Sequence, residues 1–229
     1  MDQPGDRARR PRDAQKTREA ILAAAETVFA RHGFDGARVE AIAKTSGYNT
    51  SLLFRYFGDK AGLYKAVLQR ANREMGQLLE GLLPPLAATP ASADLFRTFL
   101  AEMVRTVFDY LLEHPRFGRI LTWEMAAGWQ TYVRSARLRT EDLAPFAEVL
   151  NRARGAGVLR SGYAPLIQMS LIVQMCQSYL AYLPLYRELF PGEDLSSDRA
   201  LDQARGFLVD LVVAGLTTDA GEKPPVRQP

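Results

Sequence analysis

The 229-residue chain is 47% hydrophobic with a single cysteine, which gives enough apolar material for one large or two modest domains and excludes a disulfide framework. Its net charge of +3 is unevenly placed: Met1 to Met75 holds 14 Lys/Arg against 9 Asp/Glu, a net of +5, and the remainder holds 15 against 17, a net of −2. A basic excess confined to the first third is the footprint of a nucleic-acid face on a chain whose other part does something else.

The polar, Arg-rich N-terminus lacks the apolar segment of a secretory leader, and a lone cysteine fits a reducing compartment, so a cytoplasmic location is expected. Residues 1–14 carry Arg7, Arg9, Arg10 and Arg12 with Pro4 and Pro11. They read as a disordered basic arm able to lie along phosphates. Thr17 to Arg31 is the first clear helix, with Ile21, Leu22, Ala25, Val28 and Phe29 on one side and Gly33 as its cap. His32 reads as a helix-end residue.

The stretch Val39 to Lys60 reads as helix, tight turn, helix. Ala41, Ile42 and Thr45 give the first helix its inner side, and Arg38 lies at its weakly capped mouth. Gly47 suits the left-handed backbone at the turn. Asn49 can cap the second helix, Thr50 to Phe57, whose inner side is Leu53 and Phe57. Thr50, Ser51, Phe54, Arg55 and Tyr56 remain for the other side. Hydroxyls, an aromatic ring and an arginine are what base edges and phosphates in a major groove call for. Two short helices on a glycine turn also occur as plain packing units; the basic surroundings favour DNA.

Asp59 can cap a longer helix that carries Leu63, Tyr64, Val67, Leu68, Ala71 and Met75 and stops before Pro84-Pro85. At this point a family resemblance is carried by Ile21-Leu-Ala-Ala-Ala25, Phe29, Gly33-Phe34, Ile42-Ala43, Gly47, Leu53-Phe54-Arg55-Tyr56-Phe57, Lys60 and Gly62-Leu63-Tyr64. The stretch Ala20 to Leu68 resembles the DNA-binding domain of TetR-family bacterial regulators. The resemblance implies an all-α homodimer, with repression relieved by a small ligand. The chain departs from the family pattern with Ala37-Arg38 ahead of the paired helices, Tyr48 after the turn glycine, and Phe54 where a tyrosine is common. The expected DNA contacts are therefore Arg38, Tyr48, Asn49, Thr50, Ser51, Phe54, Arg55, Tyr56 and Lys60.

Beyond Thr89 the helical spacing predicts Ser92 to Glu113, Arg116 to Trp129, the later part of Thr131 to Gly155, Ala164 to Tyr186 and Asp198 to Leu216. This makes about nine helices. Glu141-Asp142 reads as a solvated helix start, and residues 219–229 as a disordered tail. Leu166 to Leu183 is interrupted by Gln168, Gln174 and Gln177, and so reads as a buried helix and not a membrane span. Apolar almost all round, it can face its own domain on one side and a symmetry mate on the other, together with the last helix. Phe99, Met103, Trp123, Glu124, Trp129, Met175 and Tyr179 are the expected walls of a mostly apolar ligand pocket. Glu124 stands out as a carboxylate among aromatics, able to meet a cationic or hydroxylated ligand or to pair with Arg119. Cys176 reads as a buried small hydrophobe.

Catalysis finds little support. His32 and His114 lack metal-ligand spacing, and neither a phosphate-cradling glycine loop nor a nucleophile elbow is present. No cofactor is expected. The domain reading is a basic arm at 1–14, a helix-turn-helix DNA-binding domain at 15–62, a ligand-binding and dimerisation domain at 63–218, and a tail at 219–229. The expected function is a cytoplasmic, ligand-responsive repressor bound as a dimer to a palindromic operator. The alternative is a ligand-independent architectural protein or an activator on the same fold.

Overall fold

The computed structural model describes residues 5–88, 92–136, 143–160 and 164–218. The described chain forms eleven helices: α1 Gly5–Gly36, α2 Val39–Ser46, α3 Thr50–Phe57, α4 Lys60–Glu80, α5 Pro84–Ala88, α6 Ala93–Glu113, α7 Pro115–Ala126, α8 Gln130–Ala136, α9 Ala144–Gly155, α10 Pro165–Leu189 and α11 Asp198–Leu216. The all-α expectation holds, and the count rises for two reasons. Pro84 starts a one-turn helix, as proline can at a first helical position. The helix expected in the later part of Thr131 to Gly155 is α9, and α8 is a further helix in the earlier part. Glu141-Asp142 and the tail at 219–229 lie outside the described residues.

The chain divides into two compact units, and the cuts fall inside α4, between Arg73 and Glu74, between His114 and Pro115, and between Arg137 and Leu138. The expected boundary at 62/63 followed chain order. The structure instead places α7 and α8 with the helix-turn-helix. Helical spacing shows that Phe117, Ile120 and Leu121 need a partner without saying which one; here α7 packs on α1.

In the first unit Ile21, Leu22, Ala25 and Phe29 of α1 are buried with Ile42 of α2, Leu53 of α3 and Leu63, Tyr64 and Leu68 of α4. The Tyr64 ring meets Phe29 edge-on at 4.7 Å and Phe34 at 5.0 Å. Arg70 of α4 pairs with Glu26 of α1. The backbone of residues 5–14, expected to lack order, continues α1. At Gly33 (φ 65, ψ −177) α1 is kinked, and the chain resumes to Gly36. The Trp123 ring sits 3.1 Å from where a Cβ on Gly33 would stand, and its Nε1 donates to the Ala30 carbonyl at 3.2 Å.

In the second unit α6 supplies the spine, with Phe96, Phe99, Leu100, Met103, Val104, Val107 and Phe108 buried against α10 and α11. Cys176 is buried as expected, its Sγ directed at the Val104 carbonyl at 3.9 Å, and burial pushes its thiol up to about 12. Leu159 bridges to Thr217, tying the chain after α9 to the end of α11. Pro145 opens α9 and Gly157 (φ 73) follows its end.

The helix around Cys176 is not buried all round. Gln168, Ile172, Cys176, Gln177 and Leu183 are covered, but Ile167, Leu171, Tyr182, Leu185 and Leu189 are exposed. By length and composition alone α10 also passes as a membrane span, as the packed helix of a globular body can.

The start of α4 depends on Gly62. Asp59 caps it by accepting from the Gly62 N–H at 2.7 Å, and a Cβ at Gly62 would overlap the Phe57 carbonyl oxygen. Gly62→Ala is expected to lower unfolding free energy by about 2 kcal/mol or more, since backbone must move to admit the methyl. Urea unfolding followed by circular dichroism measures this.

Candidate nucleic-acid interface

The paired helices form as their sequence requires. Arg38 precedes α2 in extended conformation (φ −107, ψ 137) and its side chain makes no cap bond. The first amides of α2 therefore remain available to an anion. Gly47 takes the left-handed turn (φ 75, ψ 10). The Tyr48 N–H donates to Ser46 Oγ at 3.3 Å, and Asn49 Oδ1 accepts from the Leu52 N–H at 2.8 Å, which starts α3. Leu53 anchors α3 at 1% exposure.

The other side of α3 faces outward. Ser51, Phe54 and Arg55 are exposed, and Thr50, Tyr48 and Tyr56 are half-buried. An exposed phenylalanine beside an arginine on a helix this short serves no core. The Arg55 guanidinium rests 5.7 Å from the Tyr56 ring centroid. Arg18 of α1 lies 5.4 Å from the Phe57 ring, which braces the far end of α3. Lys60 differs from the rest of the set. Its Nζ donates to the Asp35 carbonyl at 3.2 Å and sits 4.7 Å from the Phe34 ring, so it straps the α1–α2 turn.

The seven residues expected to wall a ligand pocket divide between the units. Phe99, Met103, Met175 and Tyr179 belong to the second. Phe99 and Met103 are buried in α6, and Tyr179 packs 5.9 Å from Phe108. Trp123, Glu124 and Trp129 belong to the first. Helix α7 ends at Ala126, short of the expected Trp129, because Gly128 and Trp129 both turn left-handed (φ 70 and 62). Trp129 packs edge-on to Tyr132 at 5.5 Å.

Glu124 is 2% exposed and binds neither Arg119 nor any other cation among the described ion pairs. Its Oε1 accepts from the Tyr64 hydroxyl at 2.5 Å and its Oε2 from the Tyr132 N–H at 2.7 Å. The Tyr132 hydroxyl reaches Asn72 at 2.9 Å. The α7–α8 turn is thereby fastened to α4 at two points. Sequence reasoning read Tyr64 as core and missed this role. The signal was a tyrosine in place of phenylalanine on a buried stripe, whose hydroxyl needs a partner.

Burial, followed by the bond to Glu124, holds the Tyr64 hydroxyl well above its ordinary value of 10, and burial raises Tyr132 too. A raised folded value means the unfolded chain gives up protons first. The stabilisation is complete below about pH 10 and is lost as pH rises beyond it. Between about pH 10 and 12, denaturant-measured stability should fall more steeply in the wild type than in Tyr64→Phe. At neutral pH that variant should be less stable by about 1–3 kcal/mol, because Glu124 loses a donor.

Comparison with known proteins agrees with this geometry. Residues 21–67 match the model for bacterial regulatory proteins of the TetR family, and residues 97–212 match that for the tetracyclin repressor-like C-terminal domain. The chain is 28% identical over 210 residues to the HTH-type transcriptional repressor NicS of Pseudomonas putida, covering 90% of this chain and 95% of that one. It is likewise 28% identical over 220 residues to the HTH-type transcriptional regulator RutR of Escherichia coli, covering 91% and 94%. Among solved structures, SmeT, the repressor of the Stenotrophomonas maltophilia multidrug efflux pump SmeDEF, is similar with a TM-score of 0.58 at 25% identity, covering 95% and 98%. A helix-turn-helix with an outward polar-aromatic face, followed by a C-terminal helical body matched over most of its length, places this chain in the TetR family of DNA-binding transcriptional regulators.

Proposed function

We propose that the protein is a repressor that binds a palindromic operator as a homodimer and is released by a small, mostly apolar effector. The observation that carries this reading is the outward side of α3, where Ser51, Phe54 and Arg55 are exposed while Leu53 alone anchors the helix in the core. In a major groove Arg55 reads a base edge, the hydroxyls of Thr50 and Ser51 and the Tyr48 and Tyr56 rings contact phosphate and sugar, and Phe54 packs on thymine methyls. Arg38 and Lys60 fix register on the backbone. Lys60 does so from a position already strapped to Asp35, at little cost in side-chain ordering.

Pairing is supported by the apolar side that α10 and α11 leave open. Ile167, Leu171 and Leu185 of α10 and Phe207 and Leu211 of α11 are all exposed, Phe207 at 67%. A patch of this kind on a chain that works on DNA fits an isologous contact between two copies. Two heads then meet half-sites about 34–36 Å apart, or a multiple of that. The named repressors NicS and SmeT support repression over activation. The effector is read into the second unit, against Phe99, Met103, Met175 and Tyr179. A DNA partner supports a cytoplasmic location, and no catalytic step is part of the reading.

Arg55→Ala should cost about 1–3 kcal/mol on the operator and relax preference at one base position, whereas Lys60→Ala should weaken all duplexes and lower the salt slope by about one. Filter retention on operator and random duplex measures both. Equal loss on the two duplexes for Arg55→Ala removes its base-reading role. The double variant Phe207→Asp, Leu211→Asp should sediment as a monomer and lose operator binding; a variant that stays dimeric locates the contact elsewhere.

A further inference from the structure

Within the first unit a cavity of about 260 Å³ opens between the kinked end of α1, His32 to Gly36, and the α7–α8 turn. From the second side the lining comprises Trp123, Glu124, Ala126, Ala127 and Thr131. The space is many times the roughly 30 Å³ share of one water. No cluster of three or more His, Cys, Asp or Glu able to hold a metal ion is present among the described residues. Size and donor set therefore point away from a bare metal ion.

The wall has an electrical imbalance. Glu124 is 2% exposed, and both donors it has, the Tyr64 hydroxyl and the Tyr132 N–H, are neutral. A carboxylate offers about four acceptor positions, so two remain. A buried carboxylate without a cation is among the costlier groups a protein can carry. Asp35, exposed to solvent, is a second acidic residue among those lining the space. The ammonium of Lys60 reaches the Asp35 carbonyl and the Phe34 ring, which leaves Trp123 as the aromatic wall for an occupant. Indole is the best aromatic partner for a cation.

We propose that this cavity is a binding site for a small organic ammonium ion. The N–H groups of the ammonium bond to the free acceptor positions of Glu124, its charge is shared with the Trp123 ring, and its alkyl part lies on Ala126 and Ala127. The site goes beyond the operator-binding reading and does not depend on it.

The test is calorimetric titration of the full-length protein, without DNA, using n-butylammonium chloride and, as a neutral copy of the same shape, 1-butanol. The expected result is saturable binding of n-butylammonium only. Glu124→Gln, which removes the charge, and Ala127→Leu, which fills the void and leaves the Glu124 bonds alone, should each weaken it at least tenfold. Absence of saturable binding, equal binding of 1-butanol, or full affinity in either variant overturns the proposal. If Glu124→Gln fails to fold, Ala127→Leu decides. Because no duplex is present, this outcome is separate from success or failure of operator binding.

Discussion

A helix of eight residues does not persist by itself in water, so α3 takes its shape from what surrounds it. Leu53 fixes its inner side, Asn49 satisfies an amide at its start, and the left-handed Gly58 ends it. The Asp59 cap and the close approach at Gly62 then set where α4 leaves. Each of these contacts lies on the inner side or at an end. The outer side is thereby released from any structural duty, which is why it can carry Ser51, Phe54 and Arg55.

Support for that scaffold comes from further along the chain than its own motif. The Trp123 indole is bonded to α1 and packed on Gly33, and Glu124 is bonded to Tyr64 of α4. A carboxylate with two well-aligned neutral donors fixes direction as well as distance, in a way that apolar packing of Phe117 and Ile120 does not. The same arrangement leaves a negative group short of a positive partner beside an open space. In the second unit the imbalance is of another kind: α6, α10 and α11 close a core, and α10 and α11 still show apolar side chains to water.

The local features were legible in the sequence because they depend on local physics. Gly47 and Gly58 are at positive φ, Asn49 and Asp59 cap, and His114 ends α6 because Pro115 follows. Partner choice was not legible. Size and polarity alone group Trp123, Glu124 and Trp129 with Phe99 and Met175, but spacing along one helix carries no information about which other helix it meets. The left-handed Trp129 was also out of reach, because a bulky residue adopts that conformation only when its surroundings impose it. The covered side of α10 could be inferred from Cys176 and Ile172. That a second side remains for another copy follows from its being apolar almost all round, but which residues lie there does not, because an all-apolar helix looks the same from every side.

In the proposed function two identical heads read one duplex through the outer sides of their α3 helices. Repeated selection of duplexes from a random pool by the purified protein, followed by sequencing, tests it most directly. The account predicts enrichment of an inverted repeat whose half-site centres lie about one helical turn apart, or a multiple of it. Recovery of an asymmetric site, or of no enriched sequence at all, contradicts it.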